Sequence, residues 1–469
     1  MNSITRFFKS ISVLIGLSLA LVSGCGGNSE PDQHTPMLVF SDVHFNPLDD
    51  PALFPALVAA DVSQWEGIFK QSNKPPSAFG TNSNYALLTL AMASMRQNVG
   101  ASPVVIYTGD ILAHSLAQTF AAYRNAAKPQ GEAVDAAADD AAMKVFIGKT
   151  LAFFIGQVRA AVGQVPVMFA LGNADTYLGY GPDSRFFADN AELFYAEFLK
   201  GTANRADFMT SFKAGGYYSA EPLGQNLVVM GLNTLVFSTQ ETTNSDDAVA
   251  TELAWLDTQL AVAKATNKKA WLVMHVPPGA DGGSSARSVD NNWHLSSSTA
   301  AMMWKPAYQT SFLQILAKYP TTVTTMLAGH THMDDFRIVT ANQVLEISPG
   351  ISPVFNNNPA YKVYNYSADT LEAINYRSVN FDLAKQPTQF KPYYAFAEAY
   401  GLTQPLNQSL RQLYVDLGTN LAYQAQYRAA YFSDHSALNS ISNASWPLYR
   451  CATGNLLQQD FINCVNSAN

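Results

Sequence analysis

The sequence predicts an α/β fold, and two observations lead to this prediction. Six short apolar runs each end in a polar cluster, which is typical of buried strands that open into loops at their carboxyl ends. Helix-like stretches separate these runs, and strands that alternate with helices indicate an α/β core. The predicted strands are MLVFSDVH (37–44), PVVIYTGD (103–110), PVMFALGN (166–173), NLVVMGLN (226–233), AWLVMHVP (270–277) and VTTMLAGHTH (323–332).

The stretches between the strands have the composition of helices, and 469 residues with 48% hydrophobic content suffice for a large core. From about residue 370 the sequence turns helical and rich in aromatic residues. We therefore predict a main domain over 37–369 and a C-terminal helical subdomain over 370–469. The predicted helices of the main domain are Tyr85–Asn98, 132–162, Phe186–Leu199, Glu252–Thr266 and Tyr308–Lys318.

The N-terminus has the layout of a secretory signal peptide over residues 1–24, with Arg6 and Lys9 before the apolar run ISVLIGLSLALV. The run is too short to span a bilayer comfortably. Val22 to Cys25 resembles a bacterial lipobox, in which the cysteine becomes the lipidated first residue. This predicts an exported protein with a lipidated tether over 25–36, as an outer-membrane lipoprotein or in the periplasmic or extracellular space. The alternative is ordinary signal cleavage, with Cys25 an incidental thiol.

Cysteine count and net charge narrow the class of protein. With Cys25 acylated, Cys451 and Cys464 remain as a pair in an exported chain, and we expect them to form a disulfide. The net charge is −8, and loss of the signal peptide removes two further positive charges. Such a chain lacks the cationic surface of a nucleic-acid scaffold. Contact with a membrane is expected only through the lipid on Cys25, and the sequence does not specify an oligomeric state.

The polar residues at the strand ends are of types that bind metal ions. Five of the eight histidines lie just after apolar strands, together with two aspartates and one asparagine. In an extended chain, residues i and i+2 point to the same side, so paired ligands can face one point. This predicts two ligand pairs, Asp42 with His44 and His330 with His332. The full set is Asp42, His44, Asp110, His114, Asn173, His275, His330 and His332.

Imidazole nitrogen with carboxylate and amide oxygen suits Zn²⁺, Fe or Mn²⁺ better than Ca²⁺ or Mg²⁺. Neither C-terminal cysteine lies near these motifs, so a thiolate zinc site is not expected. This set without His114 contains seven candidate ligands, which is more than one tetrahedral metal needs. Two divalent ions about 3.5 to 4 Å apart, sharing one carboxylate, would use them all. We expect zinc, with iron or manganese as alternatives.

The ordered set D-x-H, GD, GN, H and GHTH resembles the calcineurin-like metallophosphoesterases. GDILAH (109–114), HVPPG (275–279), SPGISPVFNNNPAYKVY (348–364) and the ending WPLYRCATGN…FINC are similar to the acid sphingomyelinase and sphingomyelinase-like phosphodiesterase branch. The resemblance implies a four-layer β-sandwich flanked by helices, with 37–369 as the catalytic domain. A saposin domain of the acid sphingomyelinases has no room between Cys25 and Met37.

The resemblance also implies how the ligands divide and what they do. One metal would take Asp42, His44, Asp110 and His332; the other would take Asp110, Asn173, His275 and His330, with Asp110 bridging. A metal-bridged hydroxide would then attack phosphorus in line. The family places an acid histidine after the Gly-Asn pair, where this chain has Ala174. His114 is the next candidate for the general acid, and His294 a distant second; alternatively, His114 only supports Asp110.

These inferences predict an exported dinuclear-metal phosphoesterase that hydrolyses phosphodiester or phosphoanhydride bonds of small molecules, such as nucleotides and phosphocholine-type esters. The alternatives are a phosphomonoesterase, or a surface lipoprotein that keeps the fold and only binds a ligand. Because Ala174 cannot donate a proton, substrates with good leaving groups are favoured. Five aromatic residues in loops are candidates for contact with substrate: Phe45, Tyr177, Tyr180, Trp293 and Trp304.

Overall fold

The computed structural model describes residues 34–128, 135–242, 245–289, 293–385, 388–434 and 440–468. The predicted signal peptide and the predicted lipidation site at Cys25 lie outside these residues. These described residues form a single compact unit. The strands and the C-terminal helices are therefore parts of one body.

Twelve strands form two sheets of six. The first sheet has the order β12-β11-β10-β1-β2-β3 and the second β4-β5-β6-β7-β9-β8, and the strands that precede the predicted ligands run parallel within each sheet. The strands are β1 (His34–Phe40), β2 (Val105–Tyr107), β3 (Val167–Phe169), β4 (Tyr218–Ala220), β5 (Leu227–Gly231), β6 (Lys269–Val273), β7 (Val323–Ala328), β8 (Asp335–Ile338), β9 (Val344–Ile347), β10 (Ala360–Ser367), β11 (Ala373–Asn380) and β12 (Lys391–Ala395).

Fifteen α-helices lie among the described residues. They are α1 (Phe54–Ala59), α2 (Trp65–Phe69), α3 (Tyr85–Asn98), α4 (Leu116–Ala127), α5 (Ala136–Val162), α6 (Ser184–Phe194), α7 (Arg205–Gly215), α8 (Asp246–Ala265), α9 (Gly282–Ser288), α10 (Pro306–Leu316), α11 (Phe396–Tyr400), α12 (Leu406–Asp416), α13 (Leu421–Tyr431), α14 (Trp446–Gly454) and α15 (Gln458–Ala468). Cys451 and Cys464 form a disulfide between α14 and α15, as predicted.

The two sheets pack face to face. Alternate residues of a strand point to opposite sides of its sheet, so one strand contributes to two cores. Along β6, Trp271 and Val273 join the core shared with the first sheet, whereas Leu272 joins a second core with α8 and α10. The ring of Trp271 meets that of Tyr366 on β10 edge-on at 5.1 Å. Helices α3 and α5 also pack on the first sheet, where Ser94 of α3 bonds to Tyr361 of β10 at 2.7 Å and the ring of Phe154 of α5 lies 5.7 Å from that of Tyr107 on β2. The predicted α/β sandwich flanked by helices is confirmed.

Helix α5 is long and apolar enough to cross a membrane by length and composition. Much of its apolar surface is nevertheless buried inside the protein. Phe146, Leu151 and Phe154 lie in the same core as the first sheet. Packing inside the protein therefore explains why helix α5 is so apolar.

The structure differs from the predicted domain boundaries in two places. Strand β1 begins at His34, inside the predicted tether. The predicted helical subdomain contains β11 and β12, which extend the first sheet, so helices begin only at Phe396. The aromatic residues near 393 belong to an edge strand, where a half-buried surface suits them as well as a helix does.

Candidate metal centre

The loops that carry the predicted ligands follow the carboxyl ends of five strands. Asp42 and His44 follow β1, Asp110 follows β2 and Asn173 follows β3. The second sheet contributes residues from the loops after β6 and β7. Carboxyl ends of parallel strands share one edge of a sheet, so the sandwich brings both sets of loops together. The structure gathers all seven predicted ligands at this edge: Asp42, His44, Asp110, Asn173, His275, His330 and His332.

The backbone at the ligands is not extended, so the alternation expected from sequence does not explain how they converge. Five ligands have positive φ angles, a region that costs a non-glycine residue about 1–3 kcal/mol. Neighbouring loops hold the strained chain: the amide of Asp42 donates to Gly109 O at 2.9 Å, and that of His44 to Asp110 O at 3.0 Å. The values are Asp42 49°, His44 45°, Asp110 64°, His330 73° and His332 64°.

The GN and GH motifs need their glycines because neighbouring loops lie against these two positions. A Cβ atom at Gly172 would overlap the side chain of Asp110, and one at Gly329 would overlap Ser41 and Asp42. Because these neighbours are buried, they have no room to yield. Both glycines therefore let a carboxylate lie directly against the next loop.

Three ligand histidines are held in the same tautomer. His44 Nδ1 lies 3.0 Å from Leu112 O, His275 Nδ1 lies 2.8 Å from Thr108 O, and His332 Nδ1 lies 3.1 Å from Ser352 O. A carbonyl oxygen only accepts, so each Nδ1 carries the proton and donates it. Each Nε2 therefore faces the centre and can present a lone pair to an ion once it is unprotonated, as metal-binding histidines do.

In the first ligand group, two ring nitrogens face each other across a short distance. His44 Nε2 lies 3.1 Å from His332 Nε2, and both are close to carboxylate oxygen of Asp42. When both nitrogens are unprotonated, their lone pairs repel unless a cation lies between them. The side chains Asp42, His44 and His332 thus fit a divalent ion by their donor chemistry.

The second group shows the same convergence. His275 Nε2 lies 3.1 Å from Asn173 Oδ1 and 3.2 Å from Asp110 Oδ2, and His330 Nδ1 lies 2.8 Å from the same Asn173 oxygen. His330 therefore faces the centre through the nitrogen opposite to the one the other histidines use. Asp110 Oδ2 is also 3.2 Å from His44 Nε2, which places this oxygen between both groups.

Burial and charge oppose each other at these groups. Burial alone would raise the pKa of Asp110, but His275 and His44 hold it well below its ordinary value. Burial disfavours a charged His275, yet the carboxylates of Asp110 and Asp42 outweigh it and raise its pKa to about 9. The metal-free centre therefore keeps a proton on His275 at neutral pH, in the place of a cation.

Metal affinity is expected to fall as the pH falls below about 9. A bound ion must displace the proton from His275, whose pKa is about 9, so protons compete with the ion. For one proton released, the apparent affinity for Mn²⁺ should change about tenfold per pH unit between pH 6 and 9. Titration calorimetry of the metal-free protein across this range measures the slope. A flat profile would show that His275 does not titrate against the metal.

Asp175 is a residue of this centre that the sequence did not identify. Its carboxylate accepts from the backbone amides of Asp110 at 3.1 Å, Ile111 at 2.8 Å, Leu112 at 3.2 Å and Gly172 at 2.8 Å. It lies in a turn and is fully buried. Asp175 thus fixes the loops of Asp110 and Asn173, and no oxygen of it remains for proton transfer.

Asp175→Ala is expected to lower the free energy of unfolding by about 4 kcal/mol, because it leaves several buried amides without an acceptor. Asp175→Asn keeps one acceptor oxygen and should lose roughly half as much. Urea denaturation of the three proteins measures the series. A loss below about 1 kcal/mol for Asp175→Ala would mean that water replaces the carboxylate.

His114 lies against the first ligand group. Its ring stacks on that of His44 with centroids 3.9 Å apart, and its Nδ1 is 3.0 Å from Asn82 Oδ1. Asn82 Oδ1 also lies 3.4 Å from the amide of His114, so it acts as acceptor and leaves Nε2 free. Burial, together with charge on His44, lowers the pKa of His114 to about 4. The ring of His114 thus lies directly against a predicted ligand of the first group.

Ala174 contributes its backbone instead of its side chain. Its amide donates to Asp110 Oδ1 at 2.7 Å, which orients the carboxylate whose other oxygen faces His44 and His275. His294 is exposed and is not one of the residues that line the clefts at the centre.

Two clefts open at His330. One has a volume of about 710 Å³ and reaches Tyr431 and Tyr449 of the C-terminal helices; the other has a volume of about 480 Å³ and contains Ser238. Of the five aromatic candidates, Phe45, Tyr177 and Trp304 are buried, whereas Trp293 lines the larger cleft and Tyr180 is 42% exposed.

The solved structures that resemble this chain superpose on it only loosely. A dimetal phosphatase from Danio rerio is 11% identical, with a TM-score of 0.39 over 74% of this chain and 95% of that chain. Purple acid phosphatase from yellow lupin is 11% identical, with a TM-score of 0.38 over 78% of this chain and 54% of that chain. No model of a known protein family matches the chain.

Curated proteins give clearer relatives. Sphingomyelinase phosphodiesterase D of Dictyostelium discoideum is 23% identical over 447 residues, which cover 87% of this chain and 91% of that protein. Human acid sphingomyelinase-like phosphodiesterase 3b is 25% identical over 269 residues, and a bovine cyclic GMP-AMP phosphodiesterase 21% identical over 267. The chain spans only about half the length of the last two. It is thus a relative of the sphingomyelinase and acid sphingomyelinase-like phosphodiesterases, as its motifs predicted.

Proposed function

We propose that the chain is an exported metal-dependent phosphodiesterase that hydrolyses phosphodiester or phosphoanhydride bonds of small molecules. One observation carries this proposal: two groups of acceptor atoms converge on Asp110 Oδ2, which lies 3.2 Å from both His44 Nε2 and His275 Nε2. The curated relatives support it, because their names describe phosphodiesterases.

Asp42, His44, Asp110 and His332 would hold one divalent ion, and Asp110, Asn173, His275 and His330 the other. Two bound ions supply Lewis acidity that activates water and offsets charge on the phosphoryl oxygens. Zinc is our proposal for both, because imidazole nitrogen dominates the donor set. Bonds from Nδ1 of His44, His275 and His332 to carbonyl oxygens keep these rings oriented before the ions bind.

Proton transfer to the leaving group is the second requirement. We propose His114 for this role: Asn82 occupies its Nδ1, so the transferred proton would lie on Nε2 of the protonated ring, a form that acidic pH favours because the pKa of His114 is lowered to about 4. Its position against His44 keeps it beside the first ligand group. A positioned acid contributes about 10² to 10⁴-fold for a leaving group that needs protonation.

The larger cleft suggests substrate classes. Its 710 Å³ lies within the range of small-molecule sites. Trp293, Phe355 and Tyr449 line this cleft with aromatic rings, and Asp281 lines it with a carboxylate. Aromatic faces stack on a nucleobase, and with a carboxylate they also attract a quaternary ammonium group. We propose nucleotides and phosphocholine-type esters as substrates, in the bacterial cell envelope.

Three substrates with added Zn²⁺ or Mn²⁺ test this function: bis(4-nitrophenyl) phosphate, 4-nitrophenyl phosphate and a nucleoside triphosphate. The proposal predicts turnover of the diester or the triphosphate above that of the monoester. His34→Ala removes a histidine outside the predicted ligand set and should keep wild-type turnover, because His34 is exposed at the start of β1. Faster hydrolysis of the monoester would favour a phosphomonoesterase. No turnover with two ions bound would favour a ligand-binding lipoprotein, the reading that Ala174 supports.

A further inference from the structure

The smaller cleft, of about 480 Å³, opens at the metal centre beside the larger one. Three residues line both clefts: Asp281, Ser284 and His330. His330 Nδ1 lies 2.8 Å from Asn173 Oδ1, so the border between the clefts includes the second ligand group. A phosphodiester carries two substituents on phosphorus. With phosphorus at the ligand groups, each cleft can therefore receive one of them.

Backbone hydrogen bonds fix the walls of the smaller cleft. The amide of Asp281 donates to Ala301 O at 2.9 Å, which joins the start of α9 to the loop before α10. In that loop, the amide of Met303 donates to Gly279 O at 2.8 Å. The amide of Thr239, in the loop after β5, donates to Met303 O at 2.9 Å. These bonds form the cleft in advance, so a ligand does not have to order its walls.

The lining of the smaller cleft combines buried apolar surface with hydrogen-bonding groups. Ala300, Met302 and Met303 are its buried apolar members. A sugar or glycerol group has the same two characters, because its C–H bonds pack on apolar surface and its hydroxyls bond to amides and other hydroxyls. The hydroxyl and amide residues that line the cleft together with Ser284 are Ser238, Thr239, Gln240, Ser297 and Gln458.

Charge at the smaller cleft favours a neutral substituent. Asp281 supplies a negative charge, and the described residues that line this cleft include no Lys or Arg. A second phosphate or a carboxylate would therefore meet a like charge there. The larger cleft, in contrast, contains Arg287. A neutral group with several hydroxyls avoids the repulsion.

Gln458, the first residue of α15, presents an oriented amide to the smaller cleft. Its Nε2 donates to Ser297 O at 3.0 Å, across to the loop before α10. The disulfide between Cys451 and Cys464 fixes α15 to α14. An amide whose nitrogen is engaged in this way can accept from a ligand hydroxyl through its oxygen.

We propose that the smaller cleft binds the second substituent of the phosphodiester, and that this substituent is a neutral polyhydroxyl group such as glycerol or a sugar. The inference rests on the proposed function and specifies the half of the substrate that the larger cleft does not receive. The substrate carries a base or a quaternary ammonium group on one side of phosphorus and hydroxyls on the other. Gln458 accepts from one of these hydroxyls and is a specificity-determining residue.

Two pairs of substrates test the cleft. Glycerophosphocholine is paired with propylphosphocholine, and glucose 6-phosphocholine with cyclohexylmethyl phosphocholine; the second member of each pair lacks the hydroxyls. The ratio of kcat/KM within a pair is compared between wild type and Gln458→Met, so that the intrinsic difference between leaving groups cancels. For the pair that fits the cleft, the preference for the hydroxylated member should fall about tenfold in Gln458→Met, because a hydrogen bond is lost. A fall with the first pair identifies glycerol, and a fall with the second identifies a sugar.

Gln459→Met is the matched control. Gln459 is the next residue of α15, is exposed, and donates to Asn463 Oδ1 at 2.9 Å without lining the cleft. This variant should keep the wild-type ratios. Ratios that stay unchanged in Gln458→Met for both pairs overturn the proposal, as does an equal change in Gln459→Met.

Calorimetry with the metal-loaded protein gives a readout that does not depend on turnover. Methylphosphinates that carry the same four groups through P–C bonds are not hydrolysed. The hydroxylated ligand of the fitting pair should bind about tenfold more weakly to Gln458→Met than to wild type, whereas its alkyl partner should bind equally to both. Equal affinities of the two proteins for all four ligands contradict the proposal.

The two proposals fail in different ways. A wild type that hydrolyses no phosphoester with two ions bound overturns the proposed function. Calorimetry then decides about the cleft alone: weaker binding of a hydroxylated ligand to Gln458→Met keeps this assignment, and equal binding removes it. A wild type that hydrolyses both members of each pair, with ratios unchanged in Gln458→Met, overturns the cleft proposal and leaves the function standing.

Discussion

Asp110→Asn is expected to reduce phosphodiester turnover by about 10³ to 10⁴-fold, which corresponds to roughly 4–5 kcal/mol of transition-state stabilisation. Asp110 Oδ2 is the oxygen that faces both ligand groups, at 3.2 Å from His44 Nε2 and from His275 Nε2. The amide has nearly the same volume but no negative charge, so it removes the shared anionic ligand. Steady-state kinetics with added Mn²⁺ measure the loss.

The fold of this variant should be retained, because an amide oxygen can still accept from the amide of Ala174. Asp207→Asn makes the same chemical change at an exposed position in the first turn of α7 and should stay within about twofold of wild type. If Asp110→Asn kept more than about a tenth of wild-type turnover, a shared carboxylate would not be needed for activity.

His114→Ala is expected to slow dialkyl phosphates about 10²-fold and bis(4-nitrophenyl) phosphate about threefold. The difference arises because an alkoxide needs a proton as it leaves, whereas a nitrophenolate does not. The free Nε2 of His114 lies on a ring that stacks on His44 at 3.9 Å, beside the first ligand group. A series of leaving groups of graded acidity measures this dependence.

His114→Phe separates proton transfer from support of His44. Its ring can still stack on His44 but carries no transferable proton, so it should behave like His114→Ala on dialkyl substrates. Recovery of turnover in His114→Phe would assign His114 to orienting His44 alone. Equal losses of His114→Ala on alkyl and aryl substrates would lead to the same conclusion.

The convergence of the ligands could be predicted from sequence because it follows from topology. Asp42, Asp110 and Asn173 each follow an apolar strand, and carboxyl ends of parallel strands meet at one edge. Helix α3 matches its predicted bounds, Tyr85–Asn98, because Asn84 caps its first turn through the amide of Leu87.

Other features depend on contacts between distant segments, which local patterns do not contain. The positive φ of Asp42 and His44 is imposed by bonds to Gly109 O and Asp110 O, which lie 67 and 66 residues further along the chain. The role of Asp175 depends on amides of residues 110–112, which the chain brings near only in three dimensions. An aromatic edge strand such as β12 resembles a helix in composition, so the predicted boundary at 370 missed it.

Metal content per chain tests the central claim most directly. Wild-type protein is equilibrated with Zn²⁺ or Mn²⁺, passed through a desalting column and analysed by mass spectrometry of the elements, beside Asp110→Asn and Asp207→Asn. Two ions per chain in the wild type and in Asp207→Asn, with fewer than two in Asp110→Asn, is the predicted result. A wild-type content of one ion or none at pH 8 would contradict a dinuclear centre built around Asp110.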